Sequence, residues 1–148
     1  MSERMGSAVP GTRPSMGKIW FPPLAVAIVI LLLSSTPGTY FPDHPDTLNN
    51  LAHLVEFALL SFFLARALYL SRRLTVTALL IWTAAVCVSF GALDEAHQFL
   101  IPERMFDVMD LLFDTLGTVL GSLSFILLRN LKADHISSGP VTTRESDG

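Results

Sequence analysis

The chain has 148 residues, of which 51% are hydrophobic, with a mean hydropathy of +0.51 and a formal net charge of −3. This length suits one domain, and the apolar content is too high for a soluble domain of that size. Nothing in the charge pattern supports nucleic-acid binding, and the single cysteine, Cys87, excludes a disulfide framework.

Four apolar stretches are each long enough to cross about 30 Å of hydrocarbon as a helix. They cover about residues 19–36, 51–70, 75–93 and 108–128. We expect the first to span the membrane rather than to be a cleaved signal peptide, because its leader is long and no small-x-small cleavage pattern follows. The sequence therefore predicts an all-α integral membrane bundle of four transmembrane helices over residues 18–131. The tails, 1–17 and 132–148, are rich in Ser, Gly, Pro and Thr and are predicted to be disordered.

The distribution of charge predicts the orientation of this bundle. If the four helices alternate, nine of the ten basic residues lie on one side, at the two termini and around the connection between the second and third helices. The positive-inside rule then places both termini in the cytoplasm. The opposite, outer end is acidic. We expect a multi-pass membrane protein.

The second helix carries a polar stripe near its outer end. Asn49, His53 and Glu56 are spaced four and three residues apart, which places them on one helix face. Ionisable residues inside a span are candidates for function by default. The alternative is that His53 and Glu56 lie at the rim of the span and are solvated by water and headgroups.

The third helix ends in a polar segment that includes Asp94, Glu95, His97 and Gln98. Asp94 and Gln98 share a face because they are four residues apart. Pro102 allows the helix to continue as far as Ile101. Taken alone, such a segment is most often a solvated helix end.

The fourth helix has carboxylates and glycines on one seam. Asp107, Asp110, Asp114, Gly117 and Gly121 advance by three or four residues and so fall within a stripe roughly 80° wide. A Gly-x-x-x-Gly pair lets a neighbouring backbone approach closely. We expect the glycines to pack within the bundle, with an oligomer formed through them as the alternative.

These three segments meet on the predicted outer side. The second and fourth helices begin there and the third ends there, so their side chains can line one acidic, outward-facing cavity. The candidate catalytic or binding residues are His53, Glu56, Asp94, Glu95, Gln98, Arg104, Asp107, Asp110 and Asp114. So many carboxylates require shared protons or a bound cation.

A divalent cation is therefore a candidate cofactor, although no strict metal motif is present. Oxygen ligands suit Mg²⁺, Ca²⁺ or Mn²⁺, and a histidine also allows Zn²⁺. The candidate ligands are His53, Glu56, Glu95, Asp107 and Asp110.

From about Leu31 to Gly121 the chain resembles the VanZ-like family of small bacterial membrane proteins. The matching elements are Ser34-Ser35-Thr36-Pro37, His53 with Glu56, Asp94-Glu95 with Gln98, Pro102 with Arg104, Asp107 with Asp110, and Gly117 with Gly121. Asn49-Asn50 replaces the usual Asp-Lys, Phe57 replaces a common Tyr, and Asp114 stands where Asn is frequent. The resemblance implies a membrane protein of a family whose named member is linked to reduced susceptibility to the glycopeptide antibiotic teicoplanin.

Three classes of function remain open from the sequence. In the first class, the protein binds or modifies a cell-envelope component, such as a lipid headgroup or a lipid-linked molecule, at the outer face. An effect on glycopeptide susceptibility is one consequence. Alternatively it is a metal-assisted membrane enzyme that acts on a lipid-linked substrate. A third interpretation is a structural polar network, or a small-ion or proton pathway in an oligomer.

Overall fold

The chain forms four long helices joined by short connections. The computed structural model describes residues 14–36, 46–72, 74–102 and 107–137. The helices are α1 (Met16–Ser34), α2 (Asp46–Ser71), α3 (Val76–Gln98) and α4 (Val108–Ser137), and these ranges contain no strand. All four are long and apolar enough to cross a membrane. The prediction of an all-α bundle with four spans is confirmed.

The helices extend beyond the apolar stretches that predict them. α2 begins at Asp46 rather than 51, α3 continues to Gln98 rather than 93, and α4 reaches Ser137. Hydropathy marks the hydrocarbon-facing part of a helix, whereas backbone hydrogen bonding continues into the polar flanks. Residues 132–137, expected to begin the C-terminal tail, are therefore helical. The N-terminal tail to residue 13 and residues 138–148 lie outside the described residues.

The end of α3 is set by a tightening of its last turn. The helix ends at Gln98, before the limit of Ile101 that Pro102 imposes. The backbone N–H of Leu100 donates to the carbonyl of His97 at 2.9 Å, and that of Ile101 to Gln98 at 2.9 Å. These i→i−3 bonds are the usual way in which a helix terminus satisfies its last carbonyls.

α2 is the helix around which the others pack. It contacts α1, α3 and α4, and its interface with α4 is the most extensive in the described part of the chain. α1 packs against α2 and α3 and, over these ranges, not against α4. Two apolar clusters fill the interior, one of Ile30, Phe57, Leu60, Leu64 and Cys87 and the other of Ala65, Leu79 and Phe125.

The outer surface of the bundle is apolar. Large side chains such as Leu24, Ile81, Leu93 and Leu127 are more than half exposed. Polar side chains, including Ser61, Thr83 and Thr118, are buried instead. This is the distribution expected where lipid, rather than water, surrounds the helices.

The glycines of α4 allow the close approach of α2. A Cβ atom at Gly117 would collide with the Leu54 carbonyl oxygen, and one at Gly121 with the Ala58 carbonyl oxygen and the Ser61 hydroxyl. Both glycines are buried. The Gly-x-x-x-Gly seam therefore packs within the chain, as expected.

We predict that Gly121→Ala destabilises the protein by about 1–3 kcal/mol, because the added methyl group must push α4 away from the backbone of α2. Thermal unfolding of the purified protein in detergent measures the effect. Gly17→Ala is the matched control, since a Cβ there meets nothing within 4 Å. Equal midpoints for the two variants would show that the α2–α4 approach is not close.

Candidate functional site

One end of the bundle holds a cluster of buried ionisable groups. α1 and α3 end there, and α2 and α4 begin there. We call this end the polar end. Among the described residues its buried ionisable side chains are His53, Asp94, Glu95, Asp110 and Asp114. The structure thus brings together residues that the sequence places on three separate helices.

His53 joins α2 to α4. Its Nδ1 atom lies 2.9 Å from Asp114 Oδ1, and its Nε2 atom lies 3.5 Å from Asp110 Oδ2. Only the first distance is that of a good hydrogen bond. Asn49, one turn earlier on α2, donates from Nδ2 to both carboxylate oxygens of Asp110 at 3.0 Å. One face of α2 is therefore matched to the acidic seam of α4.

Glu95 joins α3 to the start of α4. Its Oε2 atom accepts a hydrogen bond from the backbone N–H of Asp107 at 3.0 Å. Its Oε1 atom is buried and has no hydrogen-bond partner among the residues that the structure describes. The whole side chain is 0% exposed, so water at the surface does not satisfy that oxygen.

Asp94 joins α3 to α1. Its Oδ2 atom accepts from the Ser34 hydroxyl at 2.7 Å and from Gln98 Nε2 at 3.1 Å. Within the described ranges, Oδ1 has no partner and is buried. The predicted cavity involves only the second, third and fourth helices, so the contribution of Ser34 is missed. The signal was the Ser34-Ser35 pair, which closes the first apolar stretch on the same side as the acids.

Gly91 makes room for the second oxygen of Asp114. A Cβ atom at Gly91 would lie 2.8 Å from Asp114 Oδ2 and 3.3 Å from the Phe57 ring. That oxygen therefore packs against the backbone of α3. Like Glu95 Oε1 and Asp94 Oδ1, it is buried and has no hydrogen-bond partner among the described residues.

Three other predicted site residues are not among these described, buried groups. The Asp107 side chain is exposed and caps α4, where its Oδ1 atom accepts from the Met109 backbone N–H at 2.8 Å. Glu56 is half-buried. Arg104 lies outside the described residues.

Of the five candidate metal ligands, three lie close together. His53, Glu95 and Asp110 each offer one ligand atom, and these three atoms all lie within 4.8 Å of one another. Within the described part of the chain, Glu56 and Asp107 are not members of that group. The three residues come from three different helices.

The charge balance at the polar end calls for a further cationic or proton-donating group. Four buried carboxyl groups surround one imidazole. Even if Arg104 joins them, the acids outnumber the basic groups. Burying an uncompensated charge costs several kcal/mol, so some of the carboxyl groups must hold a proton or contact a cation.

The fold and the site define the class of the protein. It is a multi-pass membrane protein with four apolar helices and a buried acidic network at one end. The sequence model of the VanZ/LLP1 family matches residues 12–129, and the chain belongs to this family. No curated protein and no solved structure matches the chain.

We predict that Ser34→Ala lowers the free energy of unfolding by about 1–2 kcal/mol, because Asp94 loses a buried hydrogen bond between α1 and α3. Ser35→Ala is the adjacent control. Its hydroxyl donates to the carbonyl of Leu31 in its own helix, and its contact with His97 Nε2 at 3.0 Å is exposed to solvent, so its loss should cost less than that of a buried hydrogen bond. Unfolding by denaturing detergent compares the two variants. A Ser35→Ala effect as large as that of Ser34→Ala would contradict the contact.

Proposed function

We propose that the protein binds a cell-envelope component, a lipid headgroup or a lipid-linked molecule, at its polar end. The observation that carries the proposal is the set of three buried carboxylate oxygens that no described residue satisfies, Glu95 Oε1, Asp94 Oδ1 and Asp114 Oδ2. A ligand that presents ammonium, amide or hydroxyl donors would satisfy them. Such donors are common in headgroups and in sugar- or peptide-bearing lipids.

A purely structural network explains this arrangement less well. Each carboxylate that only fixes helix register needs one good partner and gains from having every oxygen satisfied. A buried acceptor without a partner costs about 1–3 kcal/mol. Natural sequences retain such a cost where a ligand removes it, as at binding and catalytic sites.

Two observations support an envelope ligand in particular. The positive-inside rule directs the polar end away from the cytoplasm, towards the side where cell-wall precursors and outer-leaflet headgroups lie. Membership in the VanZ/LLP1 family suggests an effect on glycopeptide susceptibility. Binding of an envelope component would account for that effect without requiring a reaction.

An enzyme with a serine nucleophile is not favoured by the Ser–His contact at this end. Ser35 Oγ lies 3.0 Å from His97 Nε2, but the hydroxyl donates to the Leu31 carbonyl at 2.6 Å. A serine has one proton to donate, so His97 donates to Ser35 instead of accepting from it. That is the reverse of the hydrogen bond that activates a nucleophile.

We expect native mass spectrometry of the protein, purified in mild detergent, to show a bound lipid. The fraction of protein that carries this lipid should fall at least fivefold in Asp94→Asn. This substitution preserves shape and removes the carboxylate charge. Asp134→Asn, an exposed change near the end of α4, is the matched control and should keep the lipid. The proposal fails if the wild-type protein carries no lipid, or if a folded Asp94→Asn carries as much as the control.

The proposal also requires that the polar end face the outside of the cell. We expect Pro102→Cys, at the polar end, to react with a membrane-impermeant maleimide on intact cells. Arg72→Cys, at the opposite end, should react only after permeabilisation. Both positions are exposed, and the native Cys87 is buried and should stay unreactive in both variants. The reverse labelling pattern would place the polar end in the cytoplasm.

A further inference from the structure

We infer that His53, Glu95 and Asp110 form a binding site for one divalent metal ion. The inference concerns the same polar end as the proposed envelope ligand. It assigns Glu95 Oε1 to the ion and leaves the other unsatisfied oxygens to the envelope ligand, and it holds whether or not a lipid binds there. One ligand atom of each residue lies within 4.8 Å of the other two. All three residues are buried, with 5%, 0% and 3% of their surface exposed.

The separations suit an ion held between the three side chains. Zinc lies about 2.0–2.2 Å from imidazole nitrogen and carboxylate oxygen, so two ligands of a tetrahedral ion are roughly 3.4 Å apart. His53 Nε2 and Asp110 Oδ2 are 3.5 Å apart. The ligand atom of Glu95 lies within 4.8 Å of a ligand atom of each of the other two residues, so a small displacement of its carboxylate completes the triangle.

His53 is oriented as a metal-binding histidine is oriented. Imidazoles that bind metals usually donate the N–H of their other ring nitrogen to a carboxylate or carbonyl. His53 Nδ1 lies at hydrogen-bond distance from Asp114 Oδ1, 2.9 Å. A proton on Nδ1 leaves the lone pair of Nε2 directed towards Asp110. Asp114 is thus a positioning residue and not a ligand.

An independent observation points to a ligand at this place. Oε2 of Glu95 is held by the Asp107 backbone N–H at 3.0 Å, while Oε1 is buried with no partner among the described residues. A carboxylate fixed by one oxygen, with its other oxygen left over, can coordinate an ion through the second. A cation there would also offset the negative charge of neighbouring carboxylates.

The donor set indicates which ions to test. One imidazole nitrogen and two carboxylate oxygens suit Zn²⁺ or Mn²⁺ better than Ca²⁺ or Mg²⁺, which prefer oxygen alone. Three protein ligands leave at least one coordination position for water or for an oxygen of a bound molecule.

The competing explanation is an ion triad in which a protonated His53 lies between Asp110 and Asp114. Both explanations predict that His53 is needed for stability. They differ in whether Nε2 binds a metal. His53→Asn separates them, because the asparagine amide can take the place of Nδ1 as a donor to Asp114 but offers nothing in the place of Nε2.

The test measures metal binding by the full chain in detergent. The wild-type protein is stripped of metal with EDTA and delipidated, then incubated with Zn²⁺ or Mn²⁺ and dialysed; it should retain one equivalent of the ion and show a thermal midpoint raised by several degrees over the stripped protein. His53→Asn and Glu95→Gln should bind at least 100-fold more weakly. Asp114→Asn should bind about 10- to 100-fold more weakly, as expected for the loss of an outer-shell carboxylate. With Co²⁺ as a spectroscopic probe, the visible bands should disappear in His53→Asn.

The matched control is His97→Asn, which removes another histidine from the same end and should bind like the wild type. The inference is overturned if neither Zn²⁺ nor Mn²⁺ binds, or if His53→Asn and Glu95→Gln bind like the control. Circular dichroism checks that each variant is folded. Should His53→Asn not fold, Glu95→Gln carries the same test, since its amide oxygen can still accept from Asp107. Delipidated protein that binds metal would support this site even if no envelope lipid is found. A bound lipid without any metal binding would support the envelope ligand and overturn the metal site.

Discussion

The contact between His53 and Asp114 depends on how closely α2 and α4 approach each other. Gly117 faces the backbone of α2, and Gly121 faces that backbone and the Ser61 hydroxyl, so at these two positions a Cβ atom would not fit between the helices. One to two turns nearer the polar end, the same two helices bring an imidazole to 2.9 Å from a carboxylate. The glycines therefore set the separation at which the polar residues can bond. Weakening the glycine contact would lengthen the buried hydrogen bond as well as reduce packing.

The rest of the polar end is built on that pair of helices. α3 adds Glu95 beside the α2–α4 contact, and Gly91 on the same helix leaves space for the second oxygen of Asp114. α1, which does not pack on α4 in the described ranges, reaches the buried network through the hydrogen bond from Ser34 to Asp94. In the described ranges α4 contacts α2 and α3, and α1 contacts those two helices but not α4. A disturbance at the α2–α4 contact should therefore reach every helix, whereas the loss of Ser34 should affect chiefly the position of α1.

Helical periodicity explains which parts of this arrangement the sequence could predict. His53, Asp110 and Asp114 lie within regular helices, so spacings of three and four residues correctly place them on buried faces. Asp107 follows the same spacing but precedes the first helical residue, and its side chain turns outward to cap α4. Ser34 and Gly91 were not predicted as parts of the site, because a small residue that contacts a neighbouring helix leaves no periodic signal. Which helices touch, and at what height, is a tertiary property that hydropathy does not specify.

The buried carboxylates of the polar end differ in how many hydrogen bonds they accept. Asp94 accepts two hydrogen bonds on Oδ2 and has no described partner at Oδ1, whereas Asn49 donates to both oxygens of Asp110. Glu95 accepts a single described hydrogen bond, from the backbone N–H of Asp107. A buried carboxylate with so few hydrogen bonds is the one whose environment changes most when a cation or a donor enters. A ligand that binds at this end would displace Glu95 of α3. The hydrogen bond from the Asp107 backbone N–H would then transmit that displacement to the start of α4. In that case the binding of a ligand and the position of the first turn of α4 are coupled through one carboxylate.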